Sequence, residues 1–567
     1  MPSYEDLVKQ LTSKGGPFEI ATEEVFGRPM KVFKDTPPSL NSLLELARSH
    51  GESPFLIYQD RRLSFSQVLE SADRLATALY KNFQVKPKDR VAIAMRNVPE
   101  WIISFKAVVS LGCTVVPLNS WWTTKELRYG LGNSGAQVIL CDEERARRLI
   151  EPGPSADPYK IIALASKDPY TREVFSFETL LKEEIDLPPI DISLDDDVTL
   201  FYTSGTTDKP KGAVSTNRST ISALMGFSLR STINDIVNPT LSPLEFPPSV
   251  LVGVPLFHIT GFIVMLSAFI SGSKLSLMHR WDPNDALRII EKESVTNFVG
   301  VPTMSWDILE ASRQSPRDLS SLQSIGGGGS PVPPKLVKRI SEELRSTTPG
   351  FGYGLTETNA FGPAIGGQDL ISHPTSTGRT LPIVELKIIG TDERSLAANQ
   401  EGEICISGVP LAQGYWMAES QSIEAFPEGW LHTGDIGYLD EDGYLYIKDR
   451  VKDMVIRGGE NIFCAEVEAA IYEHPNVHEA AVFGVPDRRL GERVAAQICA
   501  KKGQQLSVQE LQSFLAARLA YFKIPELYNI TEEPLARGAT GKILKREIKQ
   551  QFPSFLKHSK LDTSNDE

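Results

Sequence analysis

The spacing of apolar and polar residues predicts alternating strands and helices from Leu63 onward. Residues 64–80 and 101–111 show helical periodicity, and residues 90–95 (Arg-Val-Ala-Ile-Ala-Met) form a short apolar run typical of a buried strand. Such strands, separated by helices, are characteristic of parallel sheets that are covered on both faces. We therefore predict an α/β fold, preceded by residues 1–60, in which a polar start is mixed with proline-rich turns.

The pattern changes in the last third of the chain. Apolar alternation between residues 385 and 448, with a hairpin signal at Asp442-Gly443, indicates a β-rich patch. The apolar runs that follow predict a compact strand–helix–strand–strand–helix unit. We predict a large N-terminal region of α/β subdomains plus the β-rich patch (residues 1–449), a hinge (450–453) and a small mobile α+β C-terminal domain (454–567).

One apolar segment has nearly the length of a membrane span. Residues 251–270 contain no charged side chain, but Pro255, His258 and Gly261 interrupt them, which favours a buried strand, a turn and a helix. We predict no transmembrane segment. The N-terminal residues lack the pattern of a secretory signal, and Ser559-Lys560-Leu561 is not terminal, as a peroxisomal signal would be. We therefore expect a cytoplasmic protein.

Composition and charge narrow the class of protein. A chain of 567 residues, 41% hydrophobic and 23% charged, is typical of a multi-domain globular protein. The formal net charge of −13 argues against nucleic acid as a partner, because nucleic-acid binding needs a basic surface. The five cysteines form no C-x-x-C pair, which fits a reducing compartment and excludes a structural zinc site built from cysteines.

The densest candidate site is the loop at residues 203–212, Thr-Ser-Gly-Thr-Thr-Asp-Lys-Pro-Lys-Gly, which follows an apolar strand-like run. Its glycines allow the backbone N–H groups to approach an anion, its hydroxyls are donors, and Lys209 and Lys211 supply positive charge. This combination predicts a polyphosphate cradle. The chain contains no G-x-x-x-x-G-K-[ST] motif, which disfavours kinases and P-loop ATPases.

Further nucleotide-suited residues follow downstream. The glycines at 326–329 offer a flat backbone for a base, and residues 352–358 combine an aromatic ring, a hydroxyl and a carboxylate. A carboxylate beside a phosphate site indicates a divalent cation. Asp435 could accept hydrogen bonds from ribose, and Arg450 could reach ribose or phosphate. Each feature alone also fits a structural role: a turn, a packed tyrosine or a surface ion pair.

Together and in this order, these segments resemble the adenylate-forming superfamily: acyl-CoA synthetases, aryl-CoA ligases, luciferases and peptide-synthetase adenylation domains. The resemblance covers about residues 63–547 and rests on six separated motifs: 202–212, 328–331, 353–358, 430–435, 448–453 and 541–544. It implies two domains that enclose one active site. A carboxylate attacks the α-phosphate of ATP to give acyl-AMP and pyrophosphate, and a thiol then displaces AMP.

The resemblance also implies roles for individual residues. The phosphate-loop residues are Thr203, Ser204, Gly205, Thr206, Thr207 and Lys211. Those expected around adenine and ribose are Gly328, Gly329, Ser330, Tyr353, Gly354 and Asp435. Thr356 would contact the α-phosphate, and Thr203 and Glu357 would hold Mg²⁺. Lys542 would bridge the carboxylate and the α-phosphate.

A second group of implied roles concerns domain rotation and the thiol. Arg450 matches the arginine of the hinge motif, and Lys452 occupies the hinge position. Rotation there would replace Lys542 with the segment around Gly459, where a glycine leaves room for pantetheine. A simple turn glycine remains the alternative.

The histidines are not predicted to bind metal. His258 lies in the motif that flanks the acyl pocket, where it would act as a pocket gate or thiol-channel residue, because no partner histidine stands at ligand spacing. His474 and His478 are separated by a proline that spoils a helical pair, and we expect both at the surface.

The sequence constrains the identity of the carboxylic acid substrate less than it constrains the reaction. No acidic residue occurs between the His258 motif and Asp282, so the ammonium of an α-amino acid would be buried without a partner. The apolar, proline-rich residues 233–250 are either an acyl tunnel or lid, or a tolerated insertion. The surrounding hydrophobic residues favour a fatty or other apolar acid, with an aryl acid second. Asn217 stands where many relatives have a histidine thought to assist acyl binding.

The expected activity is therefore that of an acyl-CoA ligase that uses ATP, Mg²⁺ and coenzyme A. An acyl-AMP ligase that loads a separate carrier protein is the first alternative. A non-catalytic nucleotide- or carboxylate-binding relative is the remote one, and the presence of Lys542, Glu357 and Asp435 argues against it.

Overall fold

A computed structural model of the protein describes residues 3–150, 159–164, 174–203, 209–237 and 246–559. Two eight-stranded sheets, a four-stranded sheet, a five-stranded sheet and an N-terminal hairpin form the β-structure of these residues. The mixed α/β architecture with a small α+β C-terminal unit is as predicted.

The first sheet carries the candidate phosphate loop. Its central strands are parallel, and the two strands at one end are antiparallel to their neighbours. In spatial order the strands are Gly414–Tyr415, Lys211–Thr216, Asp197–Thr203, Thr114–Pro117, Arg90–Ala94, Val138–Cys141, Lys160–Ala163 and Phe175–Ser176.

The second sheet carries the glycine-rich strand. It too is parallel in its centre and antiparallel at both edges. In spatial order the strands are Ala364–Gly366, Thr348–Gly352, Ser324–Gly328, Asn297–Gly300, Ser249–Val252, Lys274–Leu277, Pro54–Tyr58 and Arg61–Ser64. The last two begin before Leu63, so regular structure starts earlier than the sequence pattern indicated.

Helices cover both sheets and pack with them in one large apolar cluster and a second, smaller one. The longer ones are Phe65–Phe83, Pro99–Ser110, Thr124–Ser134, Glu143–Ile150, Asn217–Val237, Ile259–Ser271, Pro283–Glu293, Pro302–Gln314 and Pro334–Glu343. The short ones are Leu40–Glu45, Phe177–Leu180, Gly367–Ser372 and Glu419–Ala425. The helix Ile259–Ser271 follows a strand and a turn, as predicted. Within the described part of the chain, helices that combine the length and apolarity of a membrane span do not occur.

A third, antiparallel sheet forms the β-rich patch. Its strands are Val384–Ile389, Gly402–Gly408, Leu431–Leu439 and Leu445–Arg450. The N-terminal helix Tyr4–Thr12 and the hairpin Ile20–Val25/Arg28–Phe33 contribute to the apolar cluster of this sheet. The N-terminal residues are therefore part of the folded unit.

The C-terminal unit has its own apolar clusters. Its strands are Val455–Arg457, Glu460–Ile462, Val477–Asp487, Gly491–Ala500 and Leu527–Thr531, and its helices are Cys464–Tyr472, Val508–Ala516 and Lys545–Ser559. The final strand and the final helix extend the predicted unit. The surface position expected for His474 was wrong: the side chain is buried, with its ring 4.8 Å from that of Phe514.

The glycine-rich strand is packed too closely for side chains. A Cβ atom on Gly327, whose φ is +145°, would lie 1.8 Å from the carbonyl oxygen of Gly300. We expect Gly327→Ala to lower the free energy of unfolding by more than about 3 kcal/mol, because the clash is with backbone. Gly443→Ala is the control, since φ there is +78° and nothing lies within 4 Å. Equal melting temperatures for the two variants would contradict this packing argument.

Candidate active site

The candidate phosphate loop joins two antiparallel strands. The strands Asp197–Thr203 and Lys211–Thr216 pair so that Thr203 lies opposite Lys211. This register brings a hydroxyl and an ammonium group together at the mouth of the loop. Ser204, Gly205, Thr206 and Thr207 lie outside the described residues.

Glu357 is held by a tyrosine that the sequence analysis missed. The Tyr415 hydroxyl donates to Glu357 Oε1 over 2.7 Å, and the Lys211 ammonium lies 5.0 Å from the Tyr415 ring centroid. Burial and the Glu357 carboxylate raise the pKa of Tyr415, so the phenol remains a donor. The only sequence signal was an aromatic pair, Tyr415-Trp416, after Gly414. Tyr415 thus links the phosphate loop to the candidate metal ligand.

Asp435 lies at the centre of a hydrogen-bonded triad. Asp435 is 3% exposed, and its Oδ2 accepts from the Tyr353 hydroxyl over 2.5 Å. Its Oδ1 accepts from Arg450 Nε over 3.0 Å. Burial and the Asp435 charge raise the pKa of Tyr353, so this phenol also stays protonated. The structure thus brings together residues predicted to contact adenine and ribose.

Lys542 reaches this site from the C-terminal unit. A Cβ atom on Gly329, whose φ is +86°, would lie 3.0 Å from Lys542 Cε and 3.1 Å from Nζ. Burial and the Arg450 charge lower the pKa of Lys542 to about 8, while Asp435 opposes the shift. A lysine partly removed from water beside a glycine-rich backbone is suited to an anionic ligand. Gly328, Ser330, Gly354 and Thr356 lie in the same two segments, at 328–330 and 353–357.

His258 is close enough to Lys542 to be affected by its charge. Burial and the Lys542 charge lower the pKa of His258 to about 3, so the ring is neutral at physiological pH. Its Nδ1 accepts from the Thr260 N–H over 3.3 Å at the start of the helix Ile259–Ser271. A neutral ring suits a pocket-lining role.

Three other residues named in the sequence analysis lie in a turn, at a hairpin tip and between backbone segments. Lys452 lies exposed in the turn after the strand Leu445–Arg450. Gly459 lies exposed at the tip of the hairpin Val455–Ile462, and a Cβ atom on it would meet nothing within 4 Å. Asn217 is buried: its amide donates to the Asp196 carbonyl, and its Oδ1 accepts from the Leu40 N–H, both over 2.9 Å. Its side chain therefore connects backbone segments.

Two family models match the chain. The model of the AMP-binding enzyme family matches residues 43–416. The chain belongs to this family. The model of the AMP-binding enzyme C-terminal domain matches residues 466–542, which include Lys542. This AMP-binding enzyme is an acid–thiol ligase of the adenylate-forming class, as predicted.

Individual relatives of this AMP-binding enzyme differ in acid and acceptor. It is 32% identical to the fatty acid–[acyl-carrier-protein] ligase ScoC of Streptomyces coeruleorubidus, over 91% of this chain and 97% of the relative. It is also 32% identical to a long-chain-fatty-acid–CoA ligase of Bacillus subtilis, over 90% and 94%. The structure of Bacillus subtilis o-succinylbenzoate coenzyme A synthetase (MenE) with ATP and magnesium ion matches with a TM-score of 0.74, at 30% identity, over 90% and 99%. The expected use of ATP, Mg²⁺ and coenzyme A agrees with these relatives.

Proposed function

We propose that this protein is an ATP-dependent acyl-CoA ligase that activates an apolar carboxylic acid, with a fatty acid as the favoured class. The observation that carries the proposal is the position of Lys542. This lysine belongs to the C-terminal unit, yet it lies against Gly329. The charges of Arg450 and Asp435 also affect its pKa. The two units therefore contribute to one site, as adenylate formation requires.

In the first half-reaction, the substrate carboxylate attacks the α-phosphate of ATP, and pyrophosphate leaves. Negative charge concentrates on the oxygens around phosphorus in the transition state, where the Lys542 ammonium and the Thr356 hydroxyl would stabilise it. Asp435 would accept hydrogen bonds from the ribose hydroxyls, while the Tyr353 ring would lie against adenine. The phosphate loop would hold the departing pyrophosphate.

The residues present fit a magnesium site. Glu357 accepts the Tyr415 hydroxyl through Oε1, which leaves Oε2 available, and Thr203 lies across from Lys211 at the loop mouth. Carboxylate and hydroxyl oxygens are ligands that Mg²⁺ accepts. The bound cation would neutralise triphosphate charge.

The second half-reaction requires a different arrangement of the two units. A thiolate attacks the acyl carbonyl and AMP leaves. We place the rotation at Lys452 and the thiol passage beside Gly459. In the present arrangement Gly459 is exposed while Lys542 is in the site. This supports the proposed rotation, which would bring Gly459 into the site as Lys542 leaves it.

The surroundings of His258 support an apolar acid. The helix Ile259–Ser271 has no acidic residue in its first turn, and many of its side chains are buried and apolar. The neighbouring helix Asn217–Val237 packs Phe227 against Phe361, with ring centroids 5.1 Å apart. Residues 238–245, part of the proposed tunnel or lid, lie outside the described residues.

A carrier protein is the second candidate acceptor. The chain is as similar to a carrier-protein ligase as to a coenzyme A ligase, at 32% identity each. An aryl acid is the second candidate substrate, because the chain is also similar, at 30% identity and a TM-score of 0.74, to an o-succinylbenzoate coenzyme A synthetase.

Pyrophosphate release with a panel of fatty, aryl and amino acids tests the function, followed by mass detection of acyl-CoA. We expect release with apolar acids and thioester only when coenzyme A is added. Pyrophosphate without thioester would favour the carrier-protein alternative. No release with any acid would favour a non-catalytic protein.

Replacing Asp435 tests the proposed ribose contact. We expect Asp435→Asn to raise the KM for ATP by about 10- to 100-fold, because the amide cannot accept from Tyr353, Arg450 and ribose together. Asp442→Asn, at an exposed hairpin turn of the same sheet, is the control and should behave as wild type. An unchanged KM for ATP in Asp435→Asn would contradict the assignment.

A further inference from the structure

Three side chains on two neighbouring strands present metal-binding atoms to one another. Cys405 on the strand Gly402–Gly408 lies opposite His432 on the strand Leu431–Leu439, and Glu403 precedes a register shift in the same pairing. The carboxylate, thiol and imidazole ligand atoms all lie within 4.8 Å of one another. None of the three residues has a role in the activity proposed above.

We propose that Glu403 Oε2, Cys405 Sγ and His432 Nδ1 form a binding site for a borderline-soft divalent cation, with Zn²⁺ as the best match, beside the nucleotide site. Bond lengths of about 2.0–2.3 Å place neighbouring ligands of a tetrahedral zinc ion roughly 3.4 Å apart. The His432 Nδ1 to Glu403 Oε2 distance is 3.3 Å. Two ligands already have the required separation, and the thiol, within 4.8 Å of both, needs to approach by at most about 1.4 Å.

The donor set selects the class of cation. Thiolate and imidazole favour zinc and cobalt over magnesium, which prefers an all-oxygen shell. The Mg²⁺ that accompanies ATP would therefore not fill this site. On binding, the Cys405 thiol releases its proton to solvent, and the ring proton of His432 leaves Nδ1, where it faces Glu403 Oε2, for Nε2. A thiolate and a carboxylate then balance the charge of the cation, and a fourth position stays open.

The lysine on the adjoining strand contacts a tryptophan ring. Lys387 lies opposite Cys405 on the adjoining strand, but its ammonium group lies 4.3 Å from the centroid of the Trp430 ring. That contact directs the charge toward the indole face. The contact of Glu403 Oε2 is therefore with His432 Nδ1, the other proposed ligand.

Hydrogen bonds between side chains and the backbone connect the site to Asp435. Glu403 Oε1 accepts from the Gly434 N–H over 3.0 Å, and the Asp435 N–H donates to the Thr433 hydroxyl over 3.1 Å. Thr433 in turn donates to the Ile404 carbonyl over 2.7 Å. A cation that draws the three ligands together would therefore shift the segment of the strand Leu431–Leu439 that positions Asp435. We expect occupancy to weaken ATP binding.

Co²⁺ titration of the full chain without nucleotide tests the site by absorption, independently of the enzyme's activity. We expect a thiolate-to-cobalt charge-transfer band in wild type that is lost in Cys405→Ser, and at least about tenfold weaker binding in His432→Gln. Cys499→Ser is the matched control, because Cys499 is also a buried thiol on a strand. It should retain the band. A missing band in wild type, or a band that persists in Cys405→Ser, would overturn the proposal.

Kinetics test the connection to the nucleotide site. At fixed Mg²⁺, buffered free Zn²⁺ should raise the KM for ATP in wild type and in Cys499→Ser but not in Cys405→Ser. Equal inhibition of all three proteins would refute the connection, since zinc would then act elsewhere. The cobalt band would still report on the site if the proposed ligase activity were wrong.

Discussion

Lys542→Ala should abolish nearly all adenylate formation and leave thioester formation from supplied acyl-AMP largely intact. The Lys542 ammonium lies beside Gly329 and close to Asp435, where the charge of the reacting phosphate would develop. Loss of a single preorganised charge of this kind costs about 100- to 1,000-fold in rate. Pyrophosphate release measures the first half-reaction, and acyl-CoA formation from synthetic acyl-AMP measures the second.

The control for this prediction is Lys549→Ala, in the following helix. Lys549 is exposed and lies 3.6 Å from Glu492, so its removal should change neither half-reaction. Equal losses in both half-reactions of Lys542→Ala would argue for a general folding defect, or for one fixed domain arrangement. Equal losses at an unchanged melting temperature exclude the folding defect and contradict the proposed alternation of the two units.

Much of the fold follows from local sequence patterns. The helix Phe65–Phe83 and the strand Arg90–Ala94 lie within a few residues of their predicted bounds, because their apolar spacing is regular. The strand Pro54–Tyr58 was missed. It pairs locally with Arg61–Ser64, but it enters the large sheet only through Lys274–Leu277, more than two hundred residues later, and that second pairing is not visible locally. His474 was misplaced for the same reason, since a later helix covers it.

In the candidate site, too, some contacts follow from local sequence patterns and others depend on pairing between distant segments. Asp435 and Arg450 face each other across one hairpin, so their proximity follows from neighbouring motifs. The Tyr415–Glu357 contact depends on the pairing of Gly414–Tyr415 with Lys211–Thr216, which no spacing rule predicts. The sequence showed no pair of cysteines at zinc spacing. Only the strand register shows that Cys405 lies opposite His432.

Gly459→Leu should produce the opposite kinetic defect to Lys542→Ala. Gly459 has a φ of +92°, and nothing lies within 4 Å of the position of a Cβ atom there in the present arrangement. Adenylate formation should therefore proceed at near wild-type rate. In the rotated arrangement the leucine would fill the proposed thiol passage. We expect thioester formation to fall by about 100-fold or more, since misplacing the thiol forfeits the alignment of the reacting atoms.

Gly503→Leu is the control that distinguishes obstruction of the thiol passage from backbone strain. Gly503 lies in an exposed turn of the same unit, has a φ of +74°, and has open space around a Cβ atom. Both leucines impose comparable conformational strain, so both variants should have similar melting temperatures. Only Gly459→Leu should lose thioester formation. If the two variants have equal activity in both half-reactions, Gly459 does not line the thiol passage, and the hairpin at 455–462 is only a surface element.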